Sequence, residues 1–179
     1  MITLRCTRRL LTRLGDVDEA VSATSAGLGT LGDWYGNLLV NRPRQLVLCT
    51  NALTLLSVVV PLAPAHGFIE RFREAARLRV AQAVTSPESR IAELGALAEI
   101  RLGRSESRSV LASMNQLGFS ARVWLEVRPA GDLEELGQWL CDTPCSALRT
   151  HWPFHEAELL LTGRVAHPHI VVRPERNAT

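Results

Sequence analysis

The sequence contains no lysine, so all 20 of its basic residues are arginine. Every cation therefore carries a planar guanidinium group, and none can be acetylated. The same absence excludes a phosphate-binding loop that relies on a Gly-Lys pair. Because 18 acidic residues nearly balance the arginines, the formal net charge is only +2. This charge is too small to draw the whole protein towards DNA or a membrane surface.

Cysteines and long apolar runs are also scarce. Four cysteines in 179 residues are too few for a disulfide scaffold. The first residues lack the apolar stretch of a signal peptide. The most apolar segment, residues 46–64, is interrupted by Asn51, Ser57 and Pro61 and is too broken to span a bilayer. We therefore expect a cytoplasmic protein with no membrane association.

The composition is that of an ordinary globular protein, with 46% apolar and 21% charged residues. The length favours one domain. We expect this domain to occupy residues 1–150, and residues 151–179 to form a partly irregular C-terminal extension.

The central part of the chain has the clearest strand patterns. Three strands are predicted, at residues 34–40, 45–50 and 54–60. The runs Leu46–Leu48 and Val58–Val60 are apolar at every position, which is typical of strands covered on both faces. Short connections force neighbouring strands to be antiparallel, so these three form a meander. Shorter strands are predicted at residues 1–7 and 99–103.

Helices are predicted in five segments, at residues 8–14, 68–83, 87–98, 108–117 and 132–143. In the mixed C-terminal segment, a helical turn is predicted around residues 154–161. Residues 121–127 fit either a strand or a continuation of the preceding helix. The fold class expected from this order is α+β, an antiparallel meander sheet with several helices packed mainly on one face.

Cys141, Cys145, His151 and His155 form the densest group of residues that could bind zinc. The spacer between the cysteine pair and the histidine pair is shorter than in a zinc finger. Pro144 lies between the cysteines, and Trp152–Pro153 stiffens the histidine pair. An ordinary helix end followed by a surface loop is the preferred interpretation. We therefore assign no metal site and no cofactor.

Two other segments could bind a ligand. Residues 104–109 combine two arginines and three serines at a predicted helix start, where a phosphate or carboxylate could bind. The alternative is that a serine merely caps the helix. Trp34, Tyr35 and Asn37 begin a strand and could line a pocket or stack on a base. A tryptophan at a strand start is, however, more often part of the core.

Four segments carry a family resemblance. They are residues 4–11, 32–39, 44–51 and 108–115. Together they resemble an uncharacterised bacterial family of domains of unknown function, which also occurs beside domains of the plasmid pRiA4b open-reading-frame-three type. The resemblance implies a bacterial intracellular protein, sometimes encoded near mobile elements. It implies no activity, cofactor or catalytic residue.

The matching segments contain more polar residues than core packing explains. We expect these residues to converge into a ligand site between the meander and the helix that begins at Arg108. The predicted site residues are Trp34, Asn37, Arg44, Asn51, Arg108, Ser109 and Asn115.

Three functions remain open, and the first is preferred. It is a non-catalytic binding or regulatory module for a protein partner or an anionic ligand, because no catalytic constellation is visible. The second is a nucleic-acid-binding accessory protein of a mobile element, suggested by the arginines of residues 5–13 and by Trp34–Tyr35. The third is a small enzyme with a pocket near Trp34, Asn37 and Arg108. The sequence leaves the oligomeric state open.

Overall fold

The computed structural model describes residues 1–15, 29–41 and 44–163. Five strands form one sheet in the order β4-β3-β2-β1-β5. The strands are β1 (Ile2–Cys6), β2 (Trp34–Asn41), β3 (Arg44–Asn51), β4 (Ser57–Pro61) and β5 (Ile100–Arg104). The helices are α1 (Arg8–Leu14), α2 (Phe68–Ala83), α3 (Pro87–Ala96), α4 (Arg108–Val127), α5 (Leu133–Cys141) and α6 (Pro153–Thr162), with a short 3-10 turn at Ala65–Gly67.

The sheet is mixed, so the expectation of a purely antiparallel sheet was wrong. Strands β2, β3 and β4 do form the predicted antiparallel meander. Strand β1, however, runs parallel to both of its neighbours, β2 and β5. The physical reason is connection length. Short turns hold β2 to β4 antiparallel, whereas the longer connections from β1 to β2 and from β4 to β5 allow a parallel return.

Helices cover both faces of the sheet, which corrects the expectation that they pack mainly on one. On β3, Val47 and Cys49 belong to one core cluster, while Leu46 and Leu48 belong to another. Since side chains alternate across a strand, these clusters lie on opposite faces. Helices α1, α2, α3 and α6 contribute to the first cluster and α4 to the second, with α5 contributing to both. Because helices cover both faces of the sheet, the central strands carry apolar side chains at every position.

Residues 121–127, for which either a strand or a continued helix was predicted, belong to helix α4. It continues without a break to Val127, with Ala121, Trp124 and Leu125 on its buried face. A strand there is therefore excluded. On α5, Leu136 and Leu140 are buried, whereas Trp139 is 39% exposed.

The end of the described chain packs on the same core as the rest. Ala157 of α6 is buried in the cluster formed by α1 and α2. The division into residues 1–150 and 151–179 stays a prediction, and residues 164–179 lie outside the described part of the chain.

No helix in the described ranges has both the length and the apolar character needed to cross a membrane.

Candidate anion site at the ends of the parallel strands

The central feature of the candidate site is a change of direction in the chain where β1 and β5 end side by side. The backbone N–H of Ser105 donates to the carbonyl of Cys6 at 3.0 Å, which joins the two strand ends. From β1 the chain passes to α1 on one face of the sheet, and from β5 it passes to α4 on the other. In open α/β sheets a crevice forms at such a point, outside the carboxyl ends of the strands, and ligands commonly bind there.

Short polar side chains line this strand end. The Thr7 hydroxyl donates to Oδ1 of Asn37 at 3.2 Å, on the neighbouring strand β2. Ser107 is the N-cap of α4, and its hydroxyl accepts from the backbone N–H of Val110 at 3.4 Å. The hydroxyls of Ser107 and Ser109 are 3.0 Å apart and share a hydrogen bond. Helix capping, the structural alternative for these serines, is thus present at Ser107.

Arginines, rather than acids, open both helices that leave the crevice. Arg8 and Arg9 are the first two residues of α1, and Arg108 is the first residue of α4; all three are exposed. Neither helix has an acidic residue in its first turn. Within the described ranges, none of these three arginines forms an ion pair or donates a side-chain hydrogen bond. The strand ends therefore carry three guanidinium groups without a partner among the described residues, and the exposed carboxylate of Glu106 lies between β5 and α4.

Two predicted site residues belong to the interior instead. Trp34 is 1% exposed and packs edge-on against Phe72 of α2, with ring centroids 5.6 Å apart. Asn51 is fully buried, and its amide donates to the carbonyl of Leu31 at 2.9 Å. Its Oδ1 accepts from both the N–H and the hydroxyl of Thr54. Trp34 fills the core, and Asn51 braces the turn between β3 and β4.

The remaining predicted residues divide between the crevice and the exposed surface. Asn37, Arg108 and Ser109 lie at the strand ends described above. Arg44 is exposed and lies far along the sheet from the end of β1. Its partner on β2 is Asn41, whereas the last residue of β1 pairs with Gly36, five positions earlier on β2. Asn115 is exposed on α4, seven residues and about 10 Å along the helix axis from Arg108. The seven residues therefore do not converge into one site.

Arg5 occupies a place that the sequence analysis did not anticipate. Its Nε lies 2.7 Å from Oδ2 of Asp33, and the two side chains are only 9% and 14% exposed. The other carboxylate oxygen of Asp33 accepts from the backbone N–H of Thr3. Arg5 therefore does not share a basic surface with Arg8 and Arg9. The signal was in the alternation of β1, which puts Arg5 on the face opposite Leu4.

The cysteines serve the fold. Cys141 is buried and its Sγ contacts the backbone of Ser57, accepting from N–H at 3.2 Å and lying 3.5 Å from the carbonyl to which it donates. Burial raises the pKa of the Cys141 thiol to about 11, although Arg79 opposes the shift. Burial also raises the pKa of Cys49 and of Cys145. Among the described residues, no three His, Cys, Asp or Glu side chains are grouped so that they could hold a metal.

Comparison with known proteins gives a family but no activity. No curated protein and no solved structure matches the chain. The bacterial origin and the mobile-element neighbours implied by the resemblance stay predictions. The sequence matches a family described as a domain of unknown function, DUF6933, over residues 3–156. Since this match covers most of its 179 residues, the chain belongs to the DUF6933 family.

Proposed function

We propose that this protein is a non-catalytic module that binds a small phosphate- or carboxylate-bearing ligand in the crevice at the ends of β1 and β5. One observation carries the proposal. Three exposed arginines, Arg8, Arg9 and Arg108, lie where the connections from two adjacent parallel strands leave towards opposite faces, and no carboxylate of the described residues pairs with them.

The chemistry of these groups suits an oxyanion. A guanidinium fork can donate two parallel hydrogen bonds to a phosphate or carboxylate, which adds geometric selectivity to charge attraction. The hydroxyl of Ser109 supplies a further polar group at the start of α4. A bound anion would also interact favourably with the partial positive charge at the start of this 20-residue helix.

The position of Arg108 gives an energetic reason to expect the same kind of ligand. A cation in the first turn of a helix opposes the helix dipole, where an acid would be favourable. Arg108 is nevertheless the first residue of α4, and the first turn has no acidic residue to compensate it. A negatively charged ligand would reverse this unfavourable interaction.

The test is isothermal titration calorimetry with inorganic pyrophosphate at constant ionic strength. We expect saturable binding by the unaltered protein, and affinity at least tenfold weaker for Arg108→Ala and for Arg8→Ala. Arg122→Ala is the matched control, because Arg122 is exposed on the same helix, about 21 Å along the axis from Arg108. No binding, or an equal loss in the Arg122 variant, would contradict the proposal.

The same variants distinguish a nucleic acid from a small anion. A short DNA duplex held by three arginine–phosphate contacts would lose affinity with salt at a logarithmic slope of roughly −2.7. If the duplex binds much more tightly than pyrophosphate, with such a slope and with dependence on Arg8 and Arg108, nucleic-acid binding replaces the small-anion proposal.

A further inference from the structure

Strand β4 forms the edge of the sheet opposite β5, and one side of it has no neighbouring strand. The N–H of Leu62 donates to the carbonyl of Gln45 at 2.9 Å, and the N–H of Asn51 donates to the carbonyl of Leu56 at 2.8 Å. In an antiparallel pair, alternate residues bond to the neighbouring strand and the others point away. The residues of β4 whose main-chain groups point away from β3 are therefore Ser57, Val59 and Pro61.

At two of these three edge positions, other parts of the protein already contact the outward-pointing main-chain groups. The N–H and carbonyl of Ser57 both contact Sγ of Cys141. Gly137 allows this close approach of α5, because a Cβ atom at that position would lie 3.3 Å from the Ser57 carbonyl oxygen. Pro61 has no N–H, and its carbonyl accepts from Nε of Arg71 at 3.0 Å. Both ends of the free edge are thus occupied by the protein itself.

The main-chain groups at the middle position, Val59, are unpaired. Its main-chain N–H and C=O have no partner among the described residues, although Val59 is only 4% exposed. Buried main-chain groups almost always find a partner, from the protein, from water or from a ligand. Val59 lines a cavity of about 300 Å³ between α2 and α5. The other cavity walls include Ala75, Leu78 and Leu133.

A second donor without a partner belongs to Arg79. Arg79 lines the cavity and is 2% exposed. Its terminal nitrogens donate to the side chains of Gln82 and Gln138 and to the carbonyl of Glu134. Its Nε is buried and has no hydrogen-bond partner in the structure.

We propose that this cavity binds a small neutral ligand carrying adjacent hydrogen-bond donor and acceptor groups, as in a carboxamide or a lactam. Such a group can accept from the Val59 N–H and donate to the Val59 carbonyl at once, while its apolar body contacts Leu78 and Leu133. The cavity volume lies at the lower end of the range for small-molecule sites.

Two other ligand classes fit less well. A peptide strand added to the edge would need successive open positions, but those at Ser57 and Pro61 are closed on either side of Val59. An anion is disfavoured because Glu74 and Glu134 line the cavity together with the arginines. The closed neighbours and the balanced charge therefore favour a small neutral molecule.

The test uses two probes of nearly equal size, benzamide and acetophenone, titrated while amide proton shifts are recorded by NMR. Acetophenone keeps the carbonyl acceptor but has a methyl group in place of the N–H donor. We expect benzamide to move the Val59 amide resonance in a saturable manner, and acetophenone to bind at least threefold more weakly. Equal binding of the two probes, or no shift at Val59 with either, would overturn the proposal.

A cavity-filling variant gives an independent measurement. Ala75→Leu adds side-chain volume at the cavity wall without altering the main chain of β4, and should weaken benzamide binding at least fivefold. Arg122→Ala, on the outer surface of α4, should leave it unchanged. Unaltered benzamide binding by a folded Ala75→Leu variant would overturn the proposal, and the probe pair remains decisive if that variant does not fold.

Discussion

Arginines at the β4 edge and arginines at the strand-end crevice are used in opposite ways. Arg71 donates to the carbonyls of Pro61, Leu62 and Pro64. Arg79 is buried and donates to three groups of α2 and α5. By contrast, the guanidinium groups of the exposed Arg8, Arg9 and Arg108 donate to no acceptor within the described ranges.

The difference shows that environment, rather than residue type, separates structural from available cations in this chain. A buried charge must be paired and hydrogen-bonded, because leaving water is otherwise too costly. Arg79 meets that demand with two glutamine side chains and with the carbonyl and carboxylate of Glu134. Arg71, which is less buried, binds main-chain carbonyls at and just after the end of β4. At the crevice the cations remain in water and need no protein partner. Substituting the arginines at the β4 edge should therefore lower the stability of the fold. Substituting the arginines at the ends of β1 and β5 should instead weaken ligand binding.

The largest expected effect is that of Arg79→Ala. This change leaves the Glu134 carbonyl and two glutamine side chains without their donor, and hydrogen bonds to charged groups contribute about 1.5–3 kcal/mol each. We expect the free energy of unfolding, measured with urea, to fall by about 3 kcal/mol. The control Arg77→Ala, at an exposed position of α2, should change it by less than about 0.5 kcal/mol. Similar values for the two variants would contradict the structural role assigned to Arg79.

A smaller effect should appear as a pH dependence at the same edge. The folded-state pKa of Cys141 is raised from its ordinary value of 9.0 to about 11, chiefly by burial. Between those values the folded state retains a proton that the unfolded state has lost, so stability is full below about pH 9 and declines as pH rises to about 11. The decline due to Cys141 should be about 2.7 kcal/mol, since a difference of one pKa unit corresponds to about 1.36 kcal/mol.

Cys141→Ala isolates this contribution. The variant should be less stable at pH 7, because it loses the contact that closes Ser57, yet its stability should fall less steeply above pH 9. Val47→Ala is the control, because it destabilises the core of the neighbouring strand β3 without removing a titrating thiol. Urea unfolding at half-unit pH steps gives the comparison, and an unchanged slope in the Cys141 variant would refute the assignment.

The meander and most helix positions were predictable because their signals are local. Alternation and short turns define β2 to β4. The predicted helix at residues 87–98 begins at the same residue as α3, where Ser86 is the N-cap and Pro87 is the first helical residue. The parallel pairing of β1 was not predictable in this way. It depends on contacts between residues about 30 and 100 positions apart, such as Leu4 with Trp34 and with Leu102, which no local pattern specifies.

The candidate site was predictable only in part. Arg108 and Ser109 were identified from a helix start, and a helix start is a local signal. Trp34 and Asn51 were included because they are polar or aromatic in strand segments, but such side chains can also be satisfied in the interior, as the four hydrogen bonds of Asn51 to Leu31, Leu53 and Thr54 demonstrate. The unpaired main chain of Val59 has no sequence signal, because any residue other than proline at an unpaired edge position would present the same groups.

The smallest expected effect has the opposite sign. Arg108→Glu places an acid at the first residue of α4, where the helix dipole favours it, and should raise the free energy of unfolding by about 0.3–1 kcal/mol. The same variant should lose pyrophosphate binding. Arg122→Glu, in the second half of the helix, should give neither the gain nor the loss. If Arg108→Glu instead destabilises the fold, Arg108 must be grouped with Arg79 as a structural arginine, and the contrast between the two regions no longer holds.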